Sequence, residues 1–155
     1  MKSSYFLLIL FLLLSCHRDK LIEPDREKWT TYTGKDGLAG GEGPVNYDVN
    51  VIAIDKNDVK WFGTPSGIAI YDDVDWSYID MDDGLPANWI NAIAMDEHGA
   101  AWIGTDRGVT KYDNGSYTNY DTSNGLYNLR VCAITIDSKN DKWFGSVENV
   151  MVLED

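Results

Sequence analysis

Three short, nearly unbroken apolar runs punctuate the chain, at residues 49–54, 90–95 and 131–136. Each ends at an aspartate, Asp55, Asp96 or Asp137, and six residues further on stands a tryptophan, Trp61, Trp102 or Trp143. The tryptophans recur every 41 residues. A fixed period near forty marks a repeat array whose units bury their apolar faces on one another. A run of this length without polar alternation predicts a strand covered on both faces. Its small residues, Ala53, Ala92, Ala94 and Ala133, would let neighbouring sheets approach closely. A second strand is predicted at 59–64, 100–105 and 141–146, with the tryptophan facing one side and Phe62, Ile103 or Phe144 the other. A third is predicted at 68–71, 109–112 and 150–153. A fourth is predicted at 76–79 and 117–120, and residues 29–32 match it ahead of the first full unit.

The turns agree with these boundaries. Asp113-Asn114-Gly115-Ser116 carries the Asn-Gly pair that tolerates positive φ at both centres of a two-residue hairpin. Gly67, Gly108 and Asn149 fall where the second strand turns into the third, and a left-handed backbone is expected at each. A Gly-Leu pair recurs at Gly37-Leu38, Gly84-Leu85 and Gly125-Leu126, and the glycine-rich segment 39–44 holds an insertion.

No stretch outside the first residues has a helical period. The expectation is an all-β fold, a partial β-propeller of about three four-stranded antiparallel blades. The repeated pattern Ile-x-Ala-Ile/Met-x-x-Asp, Trp-Ile/Phe-Gly-Thr-x-x-Gly-Val/Ile and Tyr-Asp resembles the two-component-regulator propeller repeat. The resemblance covers residues 28–155 and weakens in the third copy, where Ser146, Asn149 and Leu153 replace the Thr, Gly and Tyr. It implies a sensor or binding scaffold of the kind found in the periplasmic halves of hybrid two-component systems and in secreted or lipid-anchored proteins. The ligands it implies are often glycans. Propellers usually have about 4–8 blades, so three blades do not close a ring. Either two chains assemble a six-bladed ring, or the chain is a remnant of a longer array; no histidine kinase or DNA-binding region is evident.

The first residues give an address. Lys2, an apolar run over 5–14 and Ser15-Cys16 form a secretory signal, too short for a membrane-spanning helix, which needs roughly 20 residues. The Leu13-Leu14-Ser15-Cys16 ending resembles a lipobox, which implies cleavage before Cys16 and attachment of lipid to it. The domains expected are a lipoprotein signal peptide at 1–15, a charged flexible tether at 16–27 and propeller repeats at 28–155. The predicted location is the bacterial cell envelope, in the outer membrane facing the periplasm or the cell surface, with Cys16 as the membrane contact. The net charge of −12 argues against nucleic acid as a partner. With Cys16 lipidated, Cys132 is left as a small hydrophobe of an inner strand and no disulfide forms.

No catalytic residue and no cofactor are predicted. The two histidines, His17 and His98, are not clustered with other metal ligands, and no nucleophile elbow or phosphate loop occurs. The repeated aspartates are expected to cap their own turns, and the repeated tryptophans to pack between blades. The acidic loop with Asp80, Asp82 and Asp83 offers weak Ca²⁺ candidates without EF-hand spacing, with only Asp36 and Asp121 at matching places.

Recognition is expected on one rim, where the turns between second and third strands lie beside the loops that enter each new blade. That rim collects Tyr47, Asn88, Trp89, Asp106, Arg107, Tyr127, Arg130 and Glu148. Aromatic, arginine and amide groups together suit stacking on and hydrogen bonding to a sugar. The leading expectation is a non-catalytic binding or sensing module for a glycan or other small polar ligand. The alternative is an enzyme like streptogramin lyase, which needs a histidine on that face, whereas His98 belongs to the opposite rim. The expected partner is a second copy of the chain or another propeller protein.

Overall fold

The computed structural model describes residues 28–38 and 48–155. The signal peptide, Cys16, the tether, the insertion at 39–44 and Tyr47 lie outside the described residues. Contacts divide the chain between Thr31 and Tyr32 into two units, and Tyr32–Asp155 carries all the strands described.

Eleven strands are described, in three antiparallel sheets. Blade one holds β1 (Val51–Ile54), β2 (Lys60–Thr64), β3 (Gly67–Tyr71) and β4 (Trp76–Ile79) in sequence order. Blade two holds β5 (Ile90–Met95), β6 (Ala101–Thr105), β7 (Gly108–Asp113) and β8 (Ser116–Tyr120). Among the described residues, blade three holds β9 (Val131–Ile136), β10 (Lys142–Ser146) and β11 (Val150–Leu153). The innermost strands β1, β5 and β9 are neighbours from blade to blade. The fold is therefore the partial propeller that the 41-residue period predicts.

Packing between blades explains the Trp-x-Gly wording. A Cβ on Gly63 would lie 2.6 Å from Ile90 of the next blade, and one on Gly104 would lie 3.0 Å from Val131. Only a residue without a side chain lets the next inner strand enter there. Beside each glycine the tryptophan fills the rest of the gap. Trp102, 2% exposed, packs on Phe144 of blade three, ring centres 5.8 Å apart. Trp61, 7% exposed, meets Tyr112 of blade two at 5.7 Å.

The aspartates do what the turn chemistry predicts. Oδ1 of Asp55, Asp96 and Asp137 each accepts two backbone N–H groups, two and four residues on. Oδ2 of Asp96 and Asp137 also accepts the indole N–H of Trp102 and Trp143, both at 3.0 Å. The Gly-Thr-x-x-Gly turns are stapled similarly: the hydroxyls of Thr64 and Thr105 donate to the carbonyls of Gly67 and Gly108 and accept from Ser66 and Arg107. Asn114 and Gly115 both have positive φ, at 47° and 85°, as the hairpin signal requires.

Four expectations are corrected. Residues 29–32 are not a strand; a strand needs a neighbour's edge, and Tyr32 instead packs on the rings of Tyr71 and Trp76. The inner strands are not all covered on both faces: Ile52 and Ile54 of β1 are exposed, as is much of β9, because each lacks a blade on one side. Cys132 on β9 is consequently exposed rather than buried. Asn149 is not left-handed, although Gly67 and Gly108 are; its side chain closes the turn through the Ser146 hydroxyl instead.

Candidate functional site

The rim at the C-terminal end of β6 is built by three kinds of segment. The tight β6–β7 turn presents Asp106 and Arg107. The loops entering β5 and β9 bring Asn88 and Trp89, and Tyr127 and Arg130, to the same end, because antiparallel strands alternate. The β10–β11 turn adds Glu148.

Asp106 is where the β6–β7 turn meets the loop entering β9. Its Oδ1 pairs with Nε of Arg130 at 3.2 Å and accepts a hydrogen bond from Asn91 Nδ2 at 2.9 Å. The pair spans blades two and three, and its side chains stay 40% and 56% exposed. Charged groups are therefore held in place by the fold yet open to solvent. Trp89 and Tyr127 are exposed aromatics on the entering loops. Asn88 has a structural task, accepting the Met81 amide at 2.9 Å. Arg107 and Glu148 are exposed, their amides held by the Thr105 and Ser146 hydroxyls. Asn91 was missed by sequence reasoning; its place in an apolar run, matched by Asn50 in the preceding copy, was the available signal. Asn50, by contrast, reaches between blades, donating to the Ile90 carbonyl.

The opposite rim differs in chemistry. Asp96 is buried. Burial works against its charge, but the Trp102 indole and the amides of Ala100, Gly99 and His98 outweigh that and lower its pKa. Asp137 is also lowered, chiefly by Trp143. His98 is exposed on the β5–β6 turn, at the other end of β6 from Asp106. The histidine does find carboxylates: ligand atoms of Glu97, His98 and Asp155 lie within 4.8 Å of one another, all on exposed residues. This corrects the expectation that His98 stands apart. Asp155 is also paired with the buried Lys142. Asp80, Asp82 and Asp83 build a turn, in which the Asp80 and Asp83 carboxylates accept the amides of Asp82 and Asp80.

Trp61 departs from the pattern of its copies. Its buried indole N–H has no hydrogen-bond partner among the described residues. Beside it runs a groove of about 350 Å³ bordered by Asp55, Asp72, Asp75, Trp76 and Tyr112.

Residues 84–107, from the Gly84-Leu85 turn through the β6–β7 turn, match the two component regulator propeller family. Among solved structures, the chain is similar to the extracellular domain of a hybrid two component system from B. thetaiotaomicron, with TM-score 0.70 and 22% identity. That match covers 84% of this chain and 18% of the other. It is also similar to the extracellular domain of a one component system from the same organism, with TM-score 0.58 and 23% identity over 68% of this chain and 15% of that one. Virginiamycin B lyase from Staphylococcus aureus is more distant, at TM-score 0.51 and 17% identity, covering 74% of this chain and 44% of the enzyme. None of the curated proteins matches the chain. The chain thus spans less than a fifth of the two sensor-system structures, and at these identities the likeness is one of fold.

Proposed function

We propose that this chain is an extracytoplasmic, lipid-anchored propeller module that recognises a small polar ligand, a glycan, on the Asp106 rim and does no chemistry on it. The observation that carries the reading is the Asp106–Arg130–Asn91 cluster, which holds two open charged groups at the meeting of two blades. Such groups offer fixed donors and acceptors to sugar hydroxyls, and an exposed indole such as Trp89 offers a stacking face. The extracellular domains among the similar structures support the location, and the Leu-Leu-Ser-Cys junction supports the anchor. The lyase reading gains nothing from geometry, since His98 and Asp106 stand at opposite ends of β6.

A glycan array probed with the folded protein, and with Trp89→Ala/Arg130→Ala and Trp89→Ala/Arg107→Ala variants that keep the parent circular dichroism, tests the site. Binding by the parent and at least tenfold weaker binding by the Arg130 variant is the expected result. Equal binding by all three moves the site elsewhere. For the anchor, Cys16→Ser in the native host is expected to leave the membrane fraction, and unchanged detergent partitioning refutes it.

A further inference from the structure

We propose that two copies of this chain join head to tail into a six-bladed ring, each lending residues 29–32 to the other as a fourth strand on the β11 edge of blade three. Three observations carry this, and all of them compare blade three with its own siblings.

The first is an empty seat. Each Gly-Leu turn lies against the first aromatic of the next outer strand: a Cβ on Gly37 would fall 2.6 Å from Trp76, and one on Gly84 3.1 Å from Tyr117. The carbonyls of these two glycines are taken by Tyr78 and Asn119 of the same outer strands. A Cβ on Gly125, the third member, would meet nothing within 4 Å among the described residues. Next to it β11 has no outer neighbour among the described residues, and Val150 and Val152 are exposed. An unpaired edge of this kind accepts a strand.

The second is the strand that fits. Counting back from the Gly-Leu turns, Trp29-Thr30-Thr31-Tyr32 aligns with Trp76-Ser77-Tyr78-Ile79 and with Tyr117-Thr118-Asn119-Tyr120. Trp29 thus takes the position that covers the glycine, and it is 85% exposed. The residues after it already sit as the array requires, since Tyr32 packs on Tyr71 and Gly37 on Trp76 of blade one. A strand continuing backwards from Tyr32 therefore belongs to a blade that precedes blade one in the ring.

The third is the face beneath. Gly104 is pressed by Val131 of the next blade, and Gly63 by Ile90 of the next blade as well as by its own blade's Val51, whereas a Cβ on Gly145 would meet only its own blade's Ala133, at 3.4 Å. Trp143 is 40% exposed, where Trp61 and Trp102 are buried. The 41-residue step from Val131 and Ile90 leads back to Val49, and that from Phe144 and Ile103 leads back to Phe62. Val49 is 37% exposed on the open side of blade one. Blade three of one copy and blade one of the other thus offer the same complementary pair of faces that already packs twice within the chain. Two-fold symmetry repeats the contact and closes the ring.

The register follows from β3–β4, where Ile70 faces Ser77, so Thr30 of one copy faces Val152 of the other. Directly opposed residues on antiparallel strands lie about 4.5–5.5 Å apart, within disulfide reach. The test uses the full chain with Cys16 and Cys132 replaced by serine. One preparation carries Thr30→Cys, another Val152→Cys, and the two are mixed and oxidised. The expected results are a dimer by sedimentation at micromolar concentration and a disulfide-linked heterodimer in the mixture. A mixture of Thr30→Cys with the off-register Val150→Cys is expected to give at least tenfold less cross-link. Gly145→Leu puts a side chain on the open face, its Cβ at ordinary contact distance from Ala133, and is expected to give a folded monomer. A monomeric parent, an equal cross-link off register, a ladder of higher oligomers, or a dimer that survives Gly145→Leu overturns the proposal. These readouts need no ligand and are independent of the glycan reading.

Discussion

At the scale of single residues, the repeated aspartate and tryptophan are one device. Asp96 ties the amides of the β5–β6 turn to the indole of Trp102, and that indole fills the gap before blade three. Trp102→Ala is therefore expected to cost about 3–5 kcal/mol through the cavity it leaves, measured by urea denaturation. Asp96 adds a pH dependence. Its pKa is lowered in the folded chain, so its contribution is complete above the unfolded carboxylate value of about 3.9 and is lost as pH falls through the folded value. Asp96→Asn is expected to be less stable than the parent at neutral pH, and the gap is expected to narrow below about pH 4. A gap constant with pH would show that the charge is not what matters. The pairing of aspartate with tryptophan was half legible in the sequence. The spacing of six was visible and the turn-capping role followed from residue type, but the side-chain bond needs the strand's curvature. The missing bond at Trp61 shows that spacing alone does not decide it.

At the scale of elements, strand positions came through well because period, turn residues and apolar runs all agreed. Failures fell at the two ends of the array. Residues 29–32 and β4 share a pattern but not a conformation, since a strand pattern is realised only where an edge is available. The apolar runs of β1 and β9 foretold two covered faces, which only β5, with a blade on each side, comes near. The same dependence on neighbours gives a contrast at equivalent glycines. Gly104→Ala forces a Cβ to within 3.0 Å of Val131 of the next blade, and overpacking of that kind costs about 1–3 kcal/mol. Gly145→Ala, with only Ala133 nearby, is expected to leave the monomer's stability unchanged or to raise it by about 0.4–1 kcal/mol by restricting the unfolded chain. Chemical denaturation at concentrations where the chain is monomeric checks both. Equal losses at the two positions would mean that blade contacts are not what makes the glycine necessary.

At the scale of the whole molecule, the candidate rim was legible as a set of loops but not as a site. Residue types and strand alternation brought Asp106 and Arg130 to one end. That they pair depends on how two blades pack, which no local pattern encodes, while Asn91 joins Asp106 from within blade two. Assembly is governed by a different balance. Each chain carries a net charge of −12, so two copies repel, while the surfaces proposed to meet are apolar faces and strand edges. Repulsion between dispersed surface charges is screened beyond about 10 Å at 0.1 M salt, whereas burial of apolar surface is not weakened by it. Raising sodium chloride from low to physiological concentration is therefore expected to tighten the dimer, read as a lower dissociation constant in sedimentation equilibrium. A dimer that loosens as salt rises would mean that opposite charges hold the copies together. The faces around Trp143 and Phe62 would then not be the ones in contact.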